Sequence, residues 1–260
     1  MTIKTANPDA ACCLEIRGLC KTYPSFILGD VSFSVPQGAI MGFIGRNGAG
    51  KSTTLKSMLG LVHPDGGEVR FFGRDFAENE QFIKENIGVV LGGIDFYPKK
   101  KVKTITDVTR RFYPAWNEEK YRHYLHLFAI DEEKRVDQLS SGMKVKYLIA
   151  LALSHDAKLL ILDEPTSGLD PVSRDDLTEL FRALAADGTR SILFSTHITS
   201  DLEKCATHIT YIRDGRVLCS AEKSAFIAAF DHLRQGREAL TLEDIMVRTE
   251  RRGYDESAIV

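Results

Sequence analysis

The stretch Gly45-Arg46-Asn47-Gly48-Ala49-Gly50-Lys51-Ser52-Thr53 constrains this chain more than any other. It reads G-x-x-x-x-G-K-S. An apolar run, Ala39-Ile40-Met41-Gly42-Phe43-Ile44, leads into it as a buried strand would, and Thr54-Leu55-Lys56-Ser57-Met58-Leu59 continues from it as a helix. Strand, glycine loop and helix in that order form the context of a phosphate-binding loop. Glycines let the backbone turn tightly and bring its N–H groups against phosphate oxygens, while the start of the helix offers the positive end of its dipole to the same anion. Gly45, Asn47, Gly48, Ala49, Gly50, Lys51, Ser52 and Thr53 are therefore the expected phosphate cradle. Lys51 adds a point charge on the β- and γ-phosphates, and the Ser52 hydroxyl is a candidate Mg²⁺ ligand.

A second constellation stands downstream. Leu159-Leu160-Ile161-Leu162-Asp163-Glu164-Pro165 is an apolar strand ending in adjacent carboxylates, and the carboxyl ends of parallel strands are where open α/β sheets bind ligands. Asp163 is the candidate to hold Mg²⁺, through water, and Glu164 the candidate to orient or deprotonate the water that attacks a γ-phosphate. By itself Asp-Glu-Pro is ordinary loop composition; its meaning comes from the glycine loop upstream.

The rest of the chain reads as α/β. Cys13-Leu14-Glu15-Ile16-Arg17 and Val31-Ser32-Phe33-Ser34-Val35 alternate as half-exposed antiparallel strands do, and Glu68-Val69-Arg70-Phe71-Phe72 is a further strand. Ile87-Gly88-Val89-Val90-Leu91 and Ser191-Ile192-Leu193-Phe194 read as buried strands of a parallel sheet. Between about residues 92 and 155 the apolar spacing turns helical, at Tyr121, Leu125 and Phe128 and again at Val145, Leu148, Ile149 and Ala152. A helix is expected over roughly Val172 to Ala186, stopped by Asp187-Gly188, and Asp214-Gly215 is a two-residue hairpin signal. The expected architecture is a mostly parallel α/β core with an antiparallel β-subdomain and an inserted helical subdomain.

Of 260 residues 43% are hydrophobic, ample for a core, whereas a formal net charge of −2 gives no basic field to hold nucleic acid. No run approaches the roughly 18 apolar residues of a membrane span, and Met1 to Ala11 has neither the apolar core nor the basic flank of a leader. The expected compartment is the cytoplasm. Cys12, Cys13, Cys20, Cys205 and Cys219 lack metal-ligand spacing and read as reduced thiols.

With the glycine loop and the Asp163-Glu164 strand in place, the chain resembles the ATP-binding subunit of an ABC transporter. Leu139-Ser140-Ser141-Gly142-Met143 resembles that family's LSGGQ signature, with Ser141 in place of a glycine and Met143 in place of the glutamine. The resemblance implies that Ser140 and Gly142 reach the γ-phosphate bound by an opposite subunit. It implies too that Ser167-Gly168-Leu169-Asp170 is the loop across the dimer seam, that His197 is the switch histidine, and that Tyr23 stacks on adenine. One departure is plain: where the family places a glutamine after the strand ending at Leu91, this chain has Gly92, and Asp95 follows three residues late.

The implied activity is ATP hydrolysis with Mg²⁺, by a dimer that powers a separately encoded transmembrane permease on the cytoplasmic face of the membrane. The Lys99-Lys103 run and Arg110-Arg111 read as a solvated basic face, which the resemblance places beside the permease groove. The resemblance covers residues 13 to 220, within an ATP-binding domain expected over 1–220; residues 221–260 form a helical and charged extension. Phe112-Tyr113-Pro114 and Lys144-Val145-Lys146 are most similar to bacitracin-resistance and peptide exporters. A soluble ATPase of the same superfamily and an ATP-dependent clamp are the alternatives.

Overall fold

The computed structural model describes residues 3–4, 11–91, 97–234, 236 and 239–250. The departure read at Gly92, together with Asp95, lies outside the described residues. In chain order the first elements are β1 (Ile3–Lys4), β2 (Cys12–Tyr23), β3 (Phe26–Pro36), β4 (Ile40–Ile44), α1 (Lys51–Met58), β5 (Gly66–Phe71), β6 (Arg74–Asp75), α2 (Glu80–Asn86) and β7 (Ile87–Val90). Helices α3 (Val102–Thr109), α4 (Glu118–Leu127) and α5 (Ser141–Ser154) come next. The chain then continues with β8 (Leu159–Asp163), α6 (Pro171–Ala185), β9 (Ser191–Thr196), α7 (Thr199–Cys205), β10 (His208–Arg213), β11 (Arg216–Glu222), α8 (Lys223–Ala229) and α9 (Leu242–Glu250).

Two sheets organise these elements. A seven-stranded sheet runs β1-β11-β10-β4-β9-β8-β7, and a four-stranded one runs β3-β2-β5-β6. The first is parallel except between β10 and β11, and the pairings of the second are antiparallel. Period-two alternation divides the core between the two faces of the large sheet. Ile40, Ile44, Leu160, Leu162, Ile192 and Phe194 point to the face covered by α5 and α6. Met41, Phe43, Leu159, Ile161 and Leu193 point to the other, where they meet Leu55 and Met58 of α1 and the inner faces of β2 and β3. Helix α1 is thus sandwiched between the sheets, which fixes the loop at its start.

Register brings the loops after the strands to one edge. Ile44 pairs with Thr196 at the ends of β4 and β9, and Asp163 pairs with Ser195 across β8 and β9. The segments leaving these strands, residues 45–50, 164–170 and 197–198, consequently emerge side by side.

The long β2–β3 hairpin exceeds the alternating runs visible in the sequence because irregularities interrupt the alternation. The register shifts between Ile16 and Leu19, where Gly18 takes φ +60°. The β10–β11 turn has Asp214 at φ 47° and Gly215 at φ 75°, the left-handed pair a two-residue hairpin needs. β6, α2 and α7 are short elements without a sequence expectation. The chain after β11 does not trail away: Leu240, Leu242, Ile245 and Phe226 are buried, and α9 lies against α7.

Candidate nucleotide site

The glycine loop is built so that side chains cannot replace its hydrogens at two places. A Cβ on Gly45 would stand 2.4 Å from the Ile212 carbonyl oxygen, because β4 and β10 run in parallel contact. Gly50, which caps α1, has φ 111°, and a Cβ there would lie 2.9 Å from the Phe26 ring. Between them the Ala49 N–H donates to the Arg46 carbonyl (3.1 Å), and the Gly215 N–H donates to the Ala49 carbonyl (3.0 Å), tying the loop to the β10–β11 turn. The Thr54 hydroxyl and N–H both donate to the Gly50 carbonyl at 2.9 Å. Lys51 folds back over the loop, its Nζ donating to the carbonyls of Gly45 (2.8 Å) and Arg46 (3.3 Å).

The same Nζ lies 3.2 Å from Oε1 of Glu164, and Oε2 of Glu164 is 2.9 Å from Nδ1 of His197. One carboxylate therefore bridges the loop cation and the histidine. Its backbone is held in the left-handed region, φ 50°, a conformation that costs a non-glycine residue on the order of 1 kcal/mol and persists where surroundings over-determine it. The surroundings here are Ser195: the Glu164 N–H donates to its carbonyl and to its hydroxyl oxygen, each at 3.1 Å. The Ser195 hydroxyl in turn donates to Oδ1 of Asp163. Asp163 and Ser195 are both buried, so this short chain fixes the carboxylates that end β8.

A cleft of about 790 Å³ opens over these groups, lined by Tyr23, Phe26, Arg46, Asn47, Gly48, Gly50, Lys51, Ser52, Thr53, Glu164 and His197 among others. Gly45 and Ala49 lie beneath the loop surface and do not line the cleft, nor does Asp163, which is buried below Glu164. Tyr23 stands on the cleft wall at the hairpin turn Pro24-Ser25, well placed for a flat ring to lie against it.

Ser140 and Gly142 are not part of this cleft. Ser140 caps α5, its hydroxyl accepting from the Met143 N–H at 3.2 Å, and Gly142 faces Leu169 and Ser173. That brings the signature segment beside the loop 167–170. Asp170 accepts from the N–H groups of Val172 and Ser173 and from the Ser173 hydroxyl; the last bond does most to hold its carboxyl below the usual range.

Ser195, Phe26 and Arg46 join the site from outside the expected residues. Ser195 enters the site through its pairing opposite Asp163 in the neighbouring strand, which no local pattern marks. Arg46 stands inside the glycine loop that the sequence already marks, whereas the position of Phe26 depends on packing across the sheets and carries no local signal.

The donor chemistry suits a hard cation. Ser52 presents a hydroxyl in the cleft and Asp163 a carboxylate at the adjoining strand end, while among the described residues no cluster of three or more His, Cys, Asp or Glu forms a protein-only metal cage. Mg²⁺ is characteristically held by few protein oxygens plus phosphate and water.

Comparison with known proteins bears on what occupies such a cleft. A family model described as ABC transporter matches residues 28–167. The chain is 34% identical over 225 residues to the bacitracin transport ATP-binding protein BcrA of Bacillus licheniformis, a match spanning 85% of this chain and 71% of that protein. It is also 34% identical over 218 residues to the lantibiotic transport ATP-binding protein SrtF of Streptococcus pyogenes, spanning 80% and 90% respectively. A solved structure of the ATP-binding subunit of an ABC transporter superposes with a TM-score of 0.79 at 27% identity, covering 92% of this chain and all of that one.

Proposed function

The chain belongs to the ABC transporter ATP-binding family, and from that premise we propose that it works in pairs, two copies or one copy with a relative closing over two ATP·Mg²⁺ to drive an exporter permease encoded separately. Its activity is that of an ATPase serving transport. No helix among the described residues is long and apolar enough to cross a membrane, so attachment to the cytoplasmic face runs through the permease in this reading. The two relatives named for transport of bacitracin and of a lantibiotic support peptide-like cargo.

The observation that carries the reading is the bridge Lys51–Glu164–His197 across one cleft, with Tyr23 on its wall. Incoming phosphates compete with Glu164 for Lys51, because a polyanion offers the ammonium more charge than one carboxylate. Glu164 then keeps its contact with His197 and turns its freed oxygen to the attacking water, orienting it and accepting its proton. Loop N–H groups and Lys51 take up charge on the β- and γ-phosphates, and Tyr23 stacks on the base. Ser52 and, through water, Asp163 would hold Mg²⁺, which would supply neutralisation of phosphate charge. Ser140 and Gly142, which do not line the cleft of their own chain, serve the cleft of the opposite subunit.

Replacing Glu164 with Gln tests the assignment, since the amide retains shape and loses the basic oxygen. ATP binding should persist, the nucleotide-bound dimer should last longer, and turnover should fall by about 10²–10⁴-fold, the usual span for loss of a general base. Undiminished ATP consumption would remove Glu164 from this role.

A further inference from the structure

Helix α9 lies beyond the residues that the family model matches, yet it reaches Arg46 of the glycine loop at one end and, at the other, α7, the helix that follows His197-Ile198. At its start, the Leu242 N–H donates to Oε1 of Glu203 at 2.7 Å. Glu203 belongs to α7, the helix that begins directly after His197-Ile198, and is steadied by Lys223 at 3.4 Å. Along its length Leu242 and Ile245 are buried against the core. At its end, the Arg213 guanidinium donates to the Thr249 carbonyl (3.0 Å) and the Tyr211 hydroxyl donates to Oε1 of Glu250 (2.7 Å). Tyr211 pairs in register with Ile44, the last residue of the strand that feeds the glycine loop. Burial drives the Tyr211 hydroxyl away from ionisation, leaving it a permanent donor. The other oxygen of Glu250 lies 3.9 Å from Nη1 of Arg46, and Glu250 is only 15% exposed against 61% for the arginine.

Arg46 is a loop residue lining the cleft and, after Lys51, its second cation from the glycine loop. An exposed guanidinium on a long side chain samples many rotamers, and fixing it costs entropy each time an anion binds. A carboxylate that is itself immobilised by a buried tyrosine removes part of that cost in advance. We propose that Arg46 is a further phosphate-binding residue of this site and that α9 positions it through Glu250, so that the C-terminal helix sets the affinity for nucleotide. The inference rests on the assignment of the cleft to ATP.

The sign of one measurement separates positioning from a simple charge effect. If Glu250 acted only through its field, its removal would tighten binding of a polyanion; if it positions Arg46, removal weakens it. In the full chain, titrated with ATP·Mg²⁺, Arg46→Gln and Glu250→Gln should each weaken binding by about threefold to tenfold, the net size of one ordinary hydrogen bond, as suits a solvent-exposed guanidinium. The double variant should be no weaker than Arg46→Gln alone, and KM should rise while kcat holds. Tyr211→Phe, which keeps the ring in the core, should move affinity in the same direction and guards against a Glu250→Gln chain that folds poorly.

Tighter binding in Glu250→Gln, or losses that add in the double variant, would overturn the proposal, since a helix of purely structural value couples to Arg46 no more than to any other residue. Lys51→Ala separates the underlying assignment: ATP bound as tightly as by the parent would sink the cleft assignment and this inference with it, whereas lost binding in Lys51→Ala alongside additive losses at Arg46 and Glu250 sinks the inference alone.

Discussion

Glu164 occupies a backbone conformation that few glutamates adopt, and Ser195 is the residue that keeps it there. The Ser195 hydroxyl takes the Glu164 N–H and gives its own proton to Asp163, inside a strand end with no solvent to substitute for either bond. Removing that hydroxyl leaves the Asp163 carboxylate without this donor and loosens the turn that aims Glu164. Ser195→Ala should therefore lower stability by about 1–3 kcal/mol, the cost of a buried polar group stripped of a partner. It should lower turnover on the order of tenfold, less than the 10²–10⁴ of a lost base, because the carboxylate remains. Chemical denaturation and steady-state ATPase assays read the two effects. Full turnover at normal stability would show that the Ser195 carbonyl, which also accepts from Glu164, is sufficient alone. No local pattern marks Ser195; its importance follows from pairing opposite Asp163 in the neighbouring strand.

Among the elements, those whose signals are local were legible in the sequence. Asp214-Gly215 forms the turn its dipeptide demands, and α6 begins at Pro171 behind its Asp170 cap. The hidden ones are short or depend on distant partners. β1 is paired to β11 at the opposite end of the chain, and α7 is a single short helix anchored by buried Asp201 and its ion pair with Arg174 at 2.7 Å.

The junction of α5 with α2 is another such place, and it titrates. His155, the C-cap of α5, is buried, stacks on Tyr113 with ring centroids 3.7 Å apart, and places Nδ1 3.2 Å from the Glu85 carbonyl. Burial lowers its affinity for protons below the ordinary value of 6.5, more than its bond to Glu85 raises it. The unfolded chain therefore protonates first as pH falls. Stability is complete above about 6.5 and declines below it, by at most about 1.4 kcal/mol per pH unit for each such histidine. His208, shifted the same way by burial, adds to the slope. His155→Phe keeps the stack and removes the titration, so its denaturation midpoint should fall less steeply between pH 7 and 5.5 than that of the parent. Equal slopes would assign the acid sensitivity to other groups.

At the scale of the molecule, the two cores hold the parts of one cleft on a single sheet edge, while Ser140 and Gly142 stand outside it beside Leu169. The glycine loop alone is a phosphate cradle common to many nucleotide-binding proteins; the separated signature turns it, in the proposed reading, into half of a composite site. Sequence could place both halves because each is a short motif. That they lie apart was implied by the family resemblance and not by the motifs themselves, because it depends on how α5 seats against α6.

A half-site has a kinetic consequence. If hydrolysis needs Ser140 and Gly142 of a second subunit, each chain binds ATP by itself, but turnover follows the dimer population. Specific activity of the purified chain should then rise with its concentration and level off as pairing saturates, with the rate growing as about the second power of concentration in the dilute limit, as mass action requires for a dimer. Glu164→Gln should shift that dependence by prolonging the pair. A rate strictly proportional to concentration, down to dilutions at which light scattering finds only monomer, would mean that one chain closes its own site and that Ser140 and Gly142 have another use.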